Sequence, residues 1–234
     1  MPLWAGVFFS VNCFDSFSCA AYLGYMAFMR HICLSFLCLL LLAPQAYAGL
    51  WGTQEIQGQN LKPFPKWRRV LDEMPKDEQD ASLPCLTDTP TKGCGLQMWR
   101  QFVDRLANEP IEKKLEKTND FMNRHIYITD PVNWGVADYW ASLREFMYRD
   151  GDCEDYAIAK YVTLRAAGVP ASRLRVVVLR DLNLNIDHAI LVYKDPKQGN
   201  LILDNQIKQI TPERVIHHYQ PVFSINEDAW WLHR

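Results

Sequence analysis

The sequence has no excess of either charge: 25 basic and 27 acidic residues leave a formal net charge of −2. No basic field is therefore offered to nucleic acid. It has no internal repeat and no low-complexity tract, so repeat arrays and compositionally driven disorder are not expected. It has no Leu-Ala-Gly-Cys type signal before Cys33 or Cys38, which argues against a lipid anchor. Its first 28 residues, although aromatic and apolar, lack an unbroken hydrophobic run, because Asn12 and Asp15 interrupt them and make a poor membrane span. What remains is a chain of 234 residues, 49% of them apolar, enough for one well-buried domain and little more.

Met29-Arg30-His31, the apolar run Ile32 to Ala43, and Pro44-Gln45-Ala46-Tyr47-Ala48 have the three parts of a secretory signal. The expectation is cleavage after Ala48, a domain over 49–234, and periplasmic export. The stretch upstream, Met1 to Phe28, reads as an initiator placed too early, with Met26 or Met29 the true start; the rival reading is an uncleaved membrane anchor. Of the seven cysteines, Cys13, Cys19, Cys33 and Cys38 leave with these 48 residues. Cys85 and Cys94 flank a turn-rich segment that an oxidising compartment could close into a small disulfide loop. Cys153 is left unpaired.

Residues 51–84, rich in Gly, Gln and Pro, read as an arm over the core with one short helix at Lys66 to Met74. Apolar residues at helical spacing predict further helices over Leu96 to Ala107, Ile111 to Met122, Ala137 to Tyr148 and Tyr156 to Ala167; the last is the central buried helix, with Cys153 at its start. Residues 126–134 read as loop. The second half changes period: Leu174 to Leu179, Ala189 to Tyr193 and Leu201 to Leu203 are short Val/Ile/Leu runs, with a hairpin at Asp195 to Asn200. Thr211-Pro212-Glu213 predicts a helix start, and Pro221 to Trp231 a last strand, in which Trp230-Trp231 reads as core. Helices followed by strands predict an α+β domain with an antiparallel sheet.

The chain's most unusual stretch is Asp150-Gly151-Asp152-Cys153-Glu154-Asp155-Tyr156. A thiol reacts as thiolate, which a helix N-terminus favours and neighbouring carboxylates oppose. An imidazolium from elsewhere could activate the sulfur, and a hard cation on the carboxylates could cancel their field. Among His125, His188, His217, His218 and His233, only His188 sits where a polar loop meets an apolar strand, and Asp204 ends the next strand. Cys153, His188 and Asp204 therefore make a candidate triad. A simple hairpin pairing Lys194 with Leu201 puts Asp204 opposite Leu191, on the other face from His188; an odd-length loop or a bulge restores the shared face. The sequence leaves both open. The plainer readings are a cysteine that only packs, a surface histidine, a turn aspartate and a solvated acidic helix start. A zinc site on Cys153 and His217-His218 lacks a second cysteine nearby.

Gly151-Asp152-Cys153-Glu154-Asp155, the helix running to Gly168-Val169, then Asp187-His188-Ala189 and Leu203-Asp204-Asn205, together resemble the bacterial transglutaminase-like cysteine proteinases. The resemblance implies a papain/transglutaminase-like fold, Cys153 as nucleophile, His188 as general base and acid, and Asp204 as its orienter. It also implies calcium held by Asp152, Glu154 and Asp155. It further implies a large surface adhesin as substrate, cut after a di-alanine in its N-terminal region, and an inner-membrane cyclic di-GMP receptor that sequesters the protease. Nothing in composition or spacing shows either partner. Two other functions stay open: an acyltransferase using the same thioester, and a calcium-dependent binding module with a dead site.

Overall fold

The computed structural model describes residues 49–85 and 94–234. The expected leader and the stretch before it, residues 1–48, lie outside the described residues, as does the segment 86–93 between Cys85 and Cys94. Cys85 and Cys94 themselves are joined as a disulfide, with their Cα atoms 5.6 Å apart. No helix among the described residues is long and apolar enough to cross a membrane.

A short strand, β1 (Glu55–Gly58), precedes α1 (Pro65–Ala81), α2 (Gly95–Leu106), α3 (Ile111–Met122), the single turn α4 (Asp130–Asn133), α5 (Leu143–Arg149) and α6 (Cys153–Ala166). The strands β2 (Leu174–Asp181), β3 (Ile186–Asp195), β4 (Gly199–Leu203), β5 (Thr211–Pro212), β6 (Tyr219–Ile225) and β7 (Trp230–His233) follow. They form one sheet in the order β1-β7-β6-β2-β3-β4-β5, and every neighbouring pair is antiparallel. Helices before strands thus give the expected α+β architecture.

The helix α6 has no polar face to speak of: every residue from Asp155 to Leu164 is buried. It lies under the other helices and against one face of the sheet, in a cluster with Trp67, Trp99, Phe146, Val176, Leu191 and Leu203. A second cluster on Val177, Leu179, Ile190, Val192 and Ile202 covers the other face, closed by Leu50, Ile216 and Tyr219. The alternation along β2 and β3 sorts residues between the two. The largest buried rings are satisfied as well as packed: Trp67 Nε1 donates to the Asn226 carbonyl at 2.9 Å, and Trp99 Nε1 to Thr163 Oγ1 at 2.8 Å.

Four local expectations change. The arm is not merely laid over the core, since α1 runs through Pro75 to Ala81 and places Trp67 and Val70 at 0% exposure. The helix expected over Ala137 to Tyr148 begins only at Leu143, because Ser142 and Glu145 form a reciprocal capping box: Ser142 N–H donates to Glu145 Oε2 at 2.7 Å and Glu145 N–H to Ser142 Oγ at 3.4 Å. Thr211 and Pro212 form a strand that pairs with Ile202 and Leu201, and only a 3-10 turn, Glu213–Val215, follows. The last strand is two, β6 and β7, paired from Phe223↔Leu232 to Ile225↔Trp230. Trp231 is buried and carries the Arg175 guanidinium 3.6 Å from its ring, while Trp230 is partly exposed beside Phe64.

Candidate active site

The chain enters α6 through an unusual backbone. Asp150 closes α5 with φ +64°, a left-handed conformation uncommon outside glycine, and donates its N–H to the Phe146 carbonyl at 2.9 Å. Gly151 follows because nothing larger fits: a Cβ there would stand 2.2 Å from Asp155 Oδ2. Asp152 is the N-cap, and Asp155, one turn on, accepts from the Asp152 N–H at 3.3 Å and from the Ala141 N–H at 2.6 Å. Both oxygens of Asp155 are thus engaged by backbone. They tie the segment before α5 to the cap, and leave Cys153 on the first turn with the helix dipole behind it.

Cys153 reaches β3 at an edge, since pairing between β3 and β4 ends at Leu191↔Leu203 and leaves the start of β3 free on that side. There the Ala189 N–H lies near enough to the sulfur to favour its thiolate. His188, the adjacent residue, is 2% exposed, and its Nε2 lies 3.0 Å from Asp204 Oδ1. His188 and Asp204 share a face. The hairpin closes on Asp195↔Gly199 with the odd-length loop Pro196-Lys197-Gln198, so Asp204 falls opposite Ile190, on the face of His188. Asp195 Oδ1 holds that loop by accepting from the Lys197 and Gln198 N–H groups at 2.8 and 2.7 Å.

Asp204 is fully satisfied. Besides His188, its Oδ1 accepts the Gln206 N–H at 2.8 Å, and its Oδ2 accepts the Tyr219 hydroxyl at 2.7 Å. Burial raises its pKa, but the bond and charge of His188, then the Gln206 and Tyr219 donors, outweigh it and hold the carboxyl below its usual range. With Nε2 on Asp204, Nδ1 is the ring nitrogen left for a thiol; in this structure Gln206 Nε2 stands 3.5 Å from it. Two of the other histidines do other work: His125 Nδ1 pairs with Asp150 at 2.9 Å, and His233 bridges Thr53 and Ser224 at 3.0 Å each.

Around the thiol the electrostatics run the other way. Cys153 Sγ lies 3.3 Å from Glu154 Oε2, and burial, then the charges of Glu154 and Asp152, push the thiol well up against the Ala189 N–H. Burial also raises Glu154, and lifts Asp155 to about 8. The acids form two overlapping sets with ligand atoms within 4.8 Å of one another: Asp130, Asp152 and Asp155, and Asp130, Asp138 and Glu154. Asp152 also groups with Cys153 and Glu154. The expected trio of Asp152, Glu154 and Asp155 is therefore spread over two sets that share Asp130. Asp130 Oδ1 and Asp152 Oδ1 are buried without a hydrogen-bond partner. Hard oxygen donors, surplus negative charge and two unpartnered oxygens suit a calcium ion. A cation there would be held by carboxylates drawn from these sets, the expected Asp152, Glu154 and Asp155 together with Asp130.

Four participants escaped sequence reasoning. Asp130 looked like a turn residue before Pro131, and Asp138 carried no signal at all. Tyr219, which orients Asp204, comes from a strand that pairs with β2 across most of the second half. Tyr127, half exposed and bridged to Gly151, stands close enough to Cys153 for their charges to interact.

Residues 88–232 match the family model described as bacterial transglutaminase-like cysteine proteinase. Among solved structures, LapG of Legionella pneumophila is 35% identical with a TM-score of 0.58, the match covering 68% of this chain and 87% of that one. The same protein treated with EGTA gives 35% identity and 0.59 over 69% and 86%. Its calcium-bound form gives 34% and 0.59 over 68% and 87%. Comparison with curated proteins finds no match. A matched region covering more than half of the chain, a LapG-like α+β fold and a thiol at the start of the central helix show that this protein belongs to the bacterial transglutaminase-like cysteine proteinases.

Proposed function

We propose that the protein is a calcium-dependent endopeptidase with Cys153, His188 and Asp204 as its catalytic residues. The observation that carries this reading is the buried His188–Asp204 pair, 3.0 Å apart, on the strand residue next to Ala189, whose N–H favours the Cys153 thiolate. Cys153 passes its proton to His188 Nδ1 and its sulfur attacks a peptide carbonyl. The oxyanion rests on the Cys153 backbone N–H and one upstream donor. The imidazolium then protonates the leaving amine, and water, deprotonated by the same imidazole, releases the acyl group and restores the thiol. Asp204 holds the ring through Nε2 and balances its charge. Bound calcium supplies the positive charge that offsets the carboxylates beside the sulfur.

The substrate in this reading is a large surface adhesin, cut after a di-alanine in its N-terminal region and so released during biofilm dispersal. The regulator is an inner-membrane cyclic di-GMP receptor similar to LapD. Export to the periplasm fits the signal-like segment before Gly49 and the Cys85–Cys94 disulfide. The test is incubation of the purified protein with a di-alanine-containing adhesin fragment, with and without chelator. Cleavage is expected to need both calcium and Cys153, falling by on the order of 10⁴-fold or more in Cys153→Ala. Undiminished cleavage by that variant would sink the reading. Product mass in the presence of a lysine-bearing acceptor separates hydrolysis from acyl transfer.

A further inference from the structure

Lys160 has 0% exposure, and its Nζ meets no hydrogen-bond acceptor. Such a charge is costly to bury, and a methionine would fill the same space without penalty. Its position is specific. Cys153, Tyr156, Ala157 and Lys160 succeed one another at helical spacing on α6, so the ammonium lies on the nucleophile's side of the helix, roughly 10 Å deeper.

The groups facing it are few. On its own helix the Tyr156 ring lies 5.9 Å from Nζ, with its hydroxyl given to the His125 carbonyl. From the segment after β4, the Asp204 carboxylate attracts it. Across from α6, α3 buries only uncharged polar groups, Thr118 and Asn119; farther along, the Asn123 amide donates to the Asp204 carbonyl at 2.8 Å. The groups around His188 are Asp204 from the segment after β4, Tyr219 from β6, Gln206, and Cys153 next to the adjoining Ala189.

Signs therefore alternate when the site is charged: thiolate, imidazolium, carboxylate, ammonium. An Asp–His pair alone over-stabilises the imidazolium and makes it a reluctant acid toward a leaving amine. A second cation behind the carboxylate withdraws part of that stabilisation.

Resting on the reading of His188 and Asp204 as catalytic, we propose that Lys160 is a positioning residue, whose buried charge weakens the hold of Asp204 on the His188 proton. Burial pulls Lys160 down to about 7, against the pull of Asp204, so its charge is present through the lower part of the range in which an imidazole titrates and is lost above it.

The test is a ring-nitrogen NMR titration of His188 in the calcium-saturated protein. Lys160→Met should raise the His188 midpoint by about one pKa unit, a ten-fold shift in the proton equilibrium, as expected for removing one nearby charge at an effective dielectric of about 20. Lys160→Arg should restore it. A folded Lys160→Met variant whose His188 midpoint does not move overturns the proposal. Should Lys160→Met fail to fold, reciprocity supplies the second measurement: Asp204→Asn should lower the Lys160 midpoint, read at its 13Cε resonance, by a similar amount. An unmoved Lys160 then overturns it. A shifted titration combined with full activity of Cys153→Ala would leave the coupling standing and remove the catalytic reading instead.

Discussion

Two acidic neighbourhoods belong to the candidate site, and they are built on opposite terms. Around His188, Asp204 has donors on both oxygens, and its carboxyl is held below the usual range. Around Asp152, two buried oxygens have no partner, and Glu154 and Asp155 are held above it. The first neighbourhood is satisfied within the protein; the second leaves oxygens that a cation could satisfy. Under the proposed function, preorganisation by hydrogen bonds and preorganisation by a bound ion would stand side by side in one site.

The largest break in this comparison should come from the self-sufficient side. Asp204→Ala strands a buried imidazole and the Tyr219 hydroxyl, and kcat/KM on an adhesin fragment should drop by roughly 10²- to 10⁴-fold, the range for losing an orienting or acid–base group. Circular dichroism should show the fold retained but less stable.

Calcium tests the dependent side. At about a hundred times its dissociation constant, calcium should stabilise the protein by about 2.7 kcal/mol, raising Tm by roughly 5 to 10 °C for a domain of this size. Asp130→Asn and Asp152→Asn should each shrink that rise in a calorimetric scan. An equal rise in both variants would place the ion elsewhere.

The pH dependence of the ion-free protein follows from the raised carboxyls. Asp155 binds a proton in the folded state up to about 8, whereas the unfolded chain releases it near the ordinary carboxyl value of about 4. Between those values the folded state carries more protons, so stability must fall as pH rises from about 4 to about 8. In chelator, Tm should decline through that window. Saturating calcium should flatten the slope, because the cation makes ionised carboxylates favourable.

The smallest effect expected is from Tyr219→Phe. It removes one donor from Asp204, with about 1 to 2 kcal/mol lost in urea unfolding and a kcat/KM reduced roughly ten-fold. No change in either would mean that His188 and Gln206 suffice to hold the carboxylate.

Local chemistry made much of this legible. An acid-flanked cysteine before an apolar helix marked the site, and Val/Ile/Leu runs marked β2, β3 and β4. The Ser142–Glu145 box was present as a capping signal and overlooked, because Tyr139 and Trp140 seemed to belong to the same apolar face; Pro75 likewise stopped a helix that in fact continues through it. Other features have no local trace. β1 pairs with β7 across nearly the whole domain, and Asp130 joins the carboxylates only because Tyr127 and Ile128 dock on Gly151. The shared face of His188 and Asp204 depended on which hairpin pair closes, and composition does not reveal that.

The hairpin tip Pro196-Lys197-Gln198 has a consequence for how such chains can vary in length. Loop tips far from a site are ordinarily where insertions are tolerated. This one sets the parity of β4, so one residue gained or lost there would turn Asp204 toward the opposite face, unless a bulge absorbed it. Changes by twos leave the phase intact. The length of a hairpin tip is in this way bound to the placement of Asp204 by counting alone.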